Sequence, residues 1–211
     1  MRRRAFIATG AGLVAGCLGT DETTLDPPAT SRGSPSHPVH GDPFPSFSVP
    51  DPFTDTSVSR DDLLDRGPFV LTFIYTSCTD RCGELMRLLE LVQRDANEEG
   101  WLTDLTLVAV TFDPETDEPT VLREYATTYG LDVEHDHVRM LRPSNQAAAL
   151  ELVDDHFGVP ATHADHDHGP GHYYMVFLVN ADGITERSYP GPILFDRTPD
   201  EIVSAVRTVV T

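Results

Sequence analysis

The stretch FVLTFIYTSCTDRCGELMRLLE, Phe69–Glu90, joins three kinds of sequence without a break. Phe69 to Tyr75 is a continuous apolar run, rich in β-branched and aromatic residues and of strand length. Such a run predicts a central strand buried on both faces, because a half-buried strand would alternate with polar residues. From Cys82 to Glu99 the apolar positions Leu85, Met86, Leu88, Leu89 and Val92 fall at helical spacing, which predicts an amphipathic helix. Between strand and helix lie Cys78 and Cys82, two of the three cysteines in the chain.

The flanking sequence extends the same alternation. Phe47-Ser48-Val49 predicts a short strand, Asp61 to Leu64 one helical turn, and Leu105 to Phe112 a second buried strand. Pro119, after the acidic Asp117 and Glu118, opens a helix to Tyr129 that stops at Gly130. Val138 to Leu141 reads as a short strand, and Asn145 to Phe157 as a helix ended by Gly158. Tyr173 to Val179 and Ile184 to Tyr189 flank Asn180-Ala181-Asp182-Gly183, a hairpin signal. Thr198-Pro199-Asp200-Glu201 has capping-box spacing and starts a last helix to Val210. Helices between strands require crossovers, so the fold class is α/β, a mixed central sheet with helices on both faces. A cysteine pair where the first central strand gives way to a helix is the thioredoxin arrangement.

The chain has 211 residues and a net charge of −19, and every basic residue is Arg. So acidic a surface repels nucleic acid and excludes that partner class. It also repels itself at low salt, as the solvated acidic coat of a halophilic protein does. The amino terminus, MRRRAFIATGAGLVAGC, reads as an export signal: arginines, then an apolar run, Ala5 to Ala15, too short to span a bilayer. Arg3-Arg4-Ala5-Phe6-Ile7 resembles a twin-arginine signal. Val14-Ala15-Gly16-Cys17 resembles a lipoprotein cleavage box, which would make Cys17 a lipid anchor on the outer face of the cytoplasmic membrane. Residues 1–17 are therefore expected to be the signal, 18–45 a disordered tether rich in Pro, Ser, Thr, Gly and Asp, and 46–211 the domain. His37 and His40, inside the tether, are expected to be solvated.

Unpaired N–H groups and the helix dipole stabilise a thiolate at a helix N-terminus. A lowered pKa makes it both a better nucleophile and a better metal ligand. If the helix begins near Cys78, positions i and i+4 put both sulfurs on one face. Arg81 beside them is expected to lower their pKa further. The pair could form a disulfide, act as a redox couple, or clamp one soft metal ion. A purely structural bridge over so short a loop would restrain little of the unfolded chain. Redox work and metal binding differ in whether a third ligand exists. The candidate is His172, directly before the strand YYMVFLV; His163, His166 and His168 lie in the Gly/Asp-rich loop just upstream. Two thiolates and one imidazole can hold both Cu(I) and Cu(II), and zinc could use the same ligands with a fourth.

Three motifs resemble the Sco/SenC family of thioredoxin-fold copper proteins. They are Tyr75-Thr76-Ser77-Cys78-Thr79-Asp80-Arg81-Cys82-Gly83, then Asp113-Pro114-Glu115-Thr116-Asp117 with Pro119 beyond it, then His172 at the family's distance from Asp182-Gly183. Thr79 and Gly83 stand where the family has prolines, and Gly169-Pro170-Gly171 precedes His172 where the family usually has Val-Asp. The resemblance implies a Cys78, Cys82 and His172 copper site, with Asp80 and Asp113 as neighbouring carboxylates able to hydrogen-bond it. It implies a membrane-anchored, monomeric metallochaperone whose partner is a copper-accepting oxidase subunit and whose target is the CuA centre of cytochrome c oxidase. The alternative is a thiol–disulfide reductase, with Cys78 and Cys82 as its catalytic pair, keeping that subunit's cysteines reduced. Such reductases more often carry Cys-x-x-Cys, and they need no histidine.

The acidic coat gives a first prediction. The thermal midpoint should rise from low to molar salt as carboxylate repulsion is screened; melts that do not move across that range would remove the halophilic reading.

Overall fold

The computed structural model describes residues 22–29, 35–161 and 173–211. Strand β3, Phe69–Ile74, is buried at every position and forms the middle of a five-stranded sheet of order β5-β4-β3-β6-β7. Its partners are β4, Thr106–Thr111, in parallel, and β6, Met175–Val179, in antiparallel. β5, Val138–Leu141, joins β4 in parallel, and β7, Thr185–Pro190, returns antiparallel to β6. The two parallel steps are made by α2, Cys82–Glu99, and α3, Pro119–Thr128, since a parallel neighbour needs a long crossover. A separate ribbon of β1, Ser48–Pro50, and β2, Ser57–Ser59, precedes the sheet and leads into α1, Arg60–Leu64.

The two-residue period of β3 divides the core. Val70 and Ile74 face a cluster with Leu107, Ala109, Met140, Val176 and Leu178, covered by α2, α3 and α6, Pro199–Val210. Phe69, Leu71 and Phe73 face the other side, with Val108, Val110, Phe177 and Phe157. The expected strands and crossover helices are all present, and the mixed sheet with both faces covered is thioredoxin-like. α6 starts as its capping box requires: the Glu201 carboxylate accepts the Thr198 N–H at 2.9 Å.

Two expectations change. The helix expected over Asn145 to Phe157 is α4, Gln146–Leu150, followed by a wider π-helical turn, Glu151–His156. The turn closes with the Phe157 N–H on the Leu152 carbonyl at 3.0 Å. It delivers the Phe157 ring to within 5.3 Å of the rings of Phe44 and Phe73, so packing sets the local pitch. Gly158 then adopts φ +63°, and a Cβ there would strike the Ser36 backbone.

The second change concerns the stretch 18–45, which is docked on the domain at residues 22–26 and 36–45. Phe44 is fully buried among the rings of Phe69, Phe157 and Phe177. Phe44 N–H donates to the Gly183 carbonyl at 2.8 Å, and Gly41 N–H to that of Thr185 at 2.9 Å. His40 is half-buried with Nδ1 3.0 Å from the Glu186 carbonyl, and the His37 ring meets the edge of Phe177 at 6.2 Å. Composition suggested a solvated chain, but a single Phe and a few backbone hydrogen bonds suffice to dock it.

Phe44→Ala should therefore cost about 3–5 kcal/mol, as emptying a fully aromatic pocket does. Urea unfolding measures this; a change of a few tenths would mean the segment before residue 46 does not belong to the core.

Candidate metal and thiol site

The site forms where β3 leaves the sheet. α2 begins at Cys82 with Arg81 as its N-cap, so Cys78 lies in the preceding loop and not on the helix as the i, i+4 reading supposed. The Cys78 N–H donates to the Tyr75 carbonyl at 3.3 Å, which curls the loop back. The two thiols come together nonetheless, hydrogen-bonded to each other. They are present as thiols, without a disulfide. Cys82 is buried at 0 % exposure, whereas Cys78 is half-buried. Cys78 is thus the more accessible residue of the pair.

The Cys82 thiol is pushed well up, first by its hydrogen bond with Cys78 and then by burial, against a smaller opposing backbone hydrogen bond from Tyr75. The net shift at Cys82 is thus opposite in sign to the lowering expected from Arg81. The Arg81 guanidinium sits 4.2 Å from the centroid of Phe195, at the end of α5, Gly191–Leu194, and 3.6 Å from the Glu84 carboxylate on α2. Burial, followed by its hydrogen bond with Cys78, also pushes the Tyr75 phenol up.

Three anchors hold the loop. Asp117, fully buried, accepts the Thr76 N–H at 3.1 Å and the hydroxyls of Thr76 and Thr111. It therefore ties the end of β3 to the end of β4. Burial raises its carboxyl above the usual range, and the bonds from Thr111 and Thr76 oppose that rise. Tyr174 is the second anchor: its hydroxyl donates to Asp80 at 2.8 Å and accepts the Arg81 N–H at 3.4 Å. Its ring packs on Phe195 at 5.5 Å. The third anchor is at Gly83, where a Cβ would collide with the Tyr129 hydroxyl. Glycine, in the place of a family proline, lets α3 close over the start of α2.

Asp80 thus stands in the site, bonded to Tyr174. Asp113 shapes the turn beside it, its carbonyl accepting the N–H groups of Thr116 at 3.2 Å and Asp117 at 2.9 Å. The sequence marks Asp117 only as the end of a motif and not as a site residue; its place six residues after the end of β4 was the available signal. Cys17, His163, His166, His168 and His172 lie outside the described residues. Among the described residues, no group of three or more His, Cys, Asp or Glu side chains is arranged to hold a metal ion, and no helix is long and apolar enough to cross a membrane.

A dithiol at the exit of the central strand of a mixed sheet, at the mouth of a helix, defines a thioredoxin-like thiol protein. The chain belongs to the SCO1/SenC family, whose model matches residues 46–211. It is 26 % identical over 140 residues to the SCO1 protein homolog of Bacillus subtilis, covering 66 % of this chain and 69 % of that one. Among solved structures, the SCO1/SenC family lipoprotein of Bacillus anthracis superposes with a TM-score of 0.67 at 18 % identity, over 80 % of this chain and 95 % of that chain. BsSco, described as a member of the Sco family of cytochrome c oxidase assembly proteins, gives 0.63 at 24 %, over 80 % and 96 %. ScoI of Bradyrhizobium japonicum, solved with copper bound, gives 0.58 at 21 %, over 80 % and 99 %.

Asp117→Ala would strand the Thr76 N–H and the Thr111 hydroxyl inside the protein. The expected loss is about 1–3 kcal/mol per stranded group, together with faster alkylation of Cys82 in the folded state. Unchanged alkylation would show that Asp117 does not hold the loop.

Proposed function

We propose that this protein binds one copper ion through Cys78, Cys82 and His172 and passes it to the CuA-bearing subunit during assembly of cytochrome c oxidase. The observation that carries the reading is the pairing of the two thiols, one buried and one half-buried, at the mouth of α2. Two sulfurs in mutual hydrogen-bonding contact suit a single soft ion such as Cu(I). Cys82 is the inner ligand, and binding would displace its proton. Cys78, on the solvent side, is where an acceptor's ligand would enter.

The start of β6 supports His172 as the third ligand. Tyr174 is bonded to Asp80 and Arg81 within the cysteine motif. Two residues of chain span at most about 7 Å, so the His172 Cα cannot be farther than that from the Tyr174 Cα. An imidazole there would add the borderline donor that lets the site hold Cu(II) as well as Cu(I). The family's copper-bound members favour the same ion. Cys17 is proposed as the lipid anchor, in keeping with a lipoprotein among the relatives, on the outer face of the membrane.

The competing chemistry is thiol–disulfide exchange. The Cys78 sulfur would attack an acceptor disulfide, Cys82 would resolve the mixed disulfide, and two electrons would leave as a Cys78–Cys82 bond forms. Titration with Cu(I) and Cu(II) separates the two. One equivalent should bind, and Cys78→Ser or Cys82→Ser should abolish tight binding. His172→Ala should lose the Cu(II)–thiolate absorption and fail to support oxidase assembly while its thiols still reduce a disulfide substrate. Replacing His163, His166 and His168 together with Ala should be much milder. If His172→Ala assembles the oxidase normally while the cysteine variants do not, copper transfer gives way to the reductase.

A further inference from the structure

Glu186 has no part in the cysteine site, yet it is a fully buried carboxylate. The reason lies in the β6–β7 ladder. Thr185 pairs with Val179 and Arg187 with Leu178, so Glu186 is the extra residue at the register shift. A bulge re-aims a side chain, and here Glu186 lies within the structure instead of on the edge strand's solvent face. One carboxylate oxygen accepts the Thr24 N–H at 2.6 Å and the Asn180 side-chain amide at 2.8 Å; the other accepts the Leu25 N–H at 2.9 Å. Neighbouring groups grip the same segment. The Asn180 amide donates to the Glu22 carbonyl at 3.2 Å, Arg187 donates to the Asp26 carbonyl at 2.6 Å, and Leu25 packs on the core.

A buried carboxylate whose partners are mostly backbone N–H groups of a distant segment is a built receptor for that segment. We infer that residues 22–29 are a strap, clamped by Glu186 at the end of the sheet opposite the cysteine loop, which fixes how the domain hangs from its anchor. β3 sets the opposition. Phe69 pairs with Val179 at the Glu186 end, and Ile74, five residues on, leads to the cysteines, about 17 Å away at the usual strand rise. The membrane half of the inference rests on the proposed Cys17 anchor. Seven residues from Cys17 to Thr24 reach at most about 25 Å, against about 65 Å were the chain loose as far as Ser36, whose hydroxyl donates to the Gly158 carbonyl. The clamp thus keeps the domain close to the bilayer with its cysteine end remote from the point of attachment.

Amide hydrogen exchange on the full chain tests the clamp. The Thr24 and Leu25 amides should exchange about 10- to 100-fold slower than in Glu186→Ala, the factor expected for hydrogen bonds to a charged acceptor. Free-peptide exchange at both positions in the unaltered chain would overturn it. Should Glu186→Ala fail to fold, Thr24→Pro decides: it removes one donor without touching the receptor, and exchange at Leu25 should quicken while β3 and β6 stay protected. Unchanged Leu25 exchange there would equally overturn the clamp. With the full chain carrying Cys82→Ser, placed on a bilayer nanodisc and labelled at Cys78, the label's distance from the lipid surface should be narrowly distributed and should broaden with Thr24→Pro. Identical distributions, or a chain that stays off the bilayer, would overturn the membrane half while exchange still judges the clamp.

Discussion

The Asp117 carboxylate is where the sheet and the thiol site become one object. Two strands that end side by side in parallel would leave their last N–H groups and hydroxyls without partners, because each chain turns away there. Asp117 gathers Thr76 and Thr111 onto one buried group, so the cysteine loop leaves β3 from a fixed point and at a fixed angle. A neutral side chain of that size could not accept so many donors. The cost is a carboxylate held out of water, and that burial pushes its pKa up. Everything that follows along the chain, from the curl at Tyr75 to the N-cap at Arg81, starts from this tie.

Around it the protein sets the two sulfurs apart in environment while keeping them in contact. Cys82 is sealed beneath the start of α2, and the Gly83–Tyr129 approach closes one side of that seal. Cys78 stays half-buried. Such asymmetry suits a site that must retain cargo and also release it, since ligand exchange needs one accessible donor and one that remains. The Arg81 guanidinium is engaged over the Phe195 ring and beside the Glu84 carboxylate.

At the opposite end of the sheet a second buried carboxylate does comparable work for the amino-terminal segment. Asp117 joins elements of the domain, whereas Glu186 joins the domain to the segment around Thr24 and Leu25. Both rely on the charge-assisted hydrogen bond, which is stronger than its neutral counterpart and geometrically demanding. In a chain of net charge −19 most carboxylates form the solvated coat. These two are exceptions because backbone and side-chain donors surround them.

The sequence alone determined the order of elements and the place of the cysteine pair. Buried strands such as Phe69–Ile74 and amphipathic helices such as Cys82–Glu99 write their burial into residue periodicity. The three family motifs are likewise local strings. What could not be read there depended on residues far apart in the chain. The π turn before Phe157 answers to Phe44 and Phe73, and docking of residues 35–45 answers to β7 and the aromatic face of the sheet. The raised Cys82 thiol answers first to its hydrogen bond with Cys78 and then to burial, and no spacing rule records either. In the sequence Asp117 was only the last residue of a motif ahead of the Pro119 helix, and nothing set Glu186 apart from the other acidic residues. Only the tertiary structure, by bringing Thr76 to one and Thr24 to the other, decided that they lie inside, because a carboxylate's burial depends on the donors that meet it and not on its neighbours in sequence.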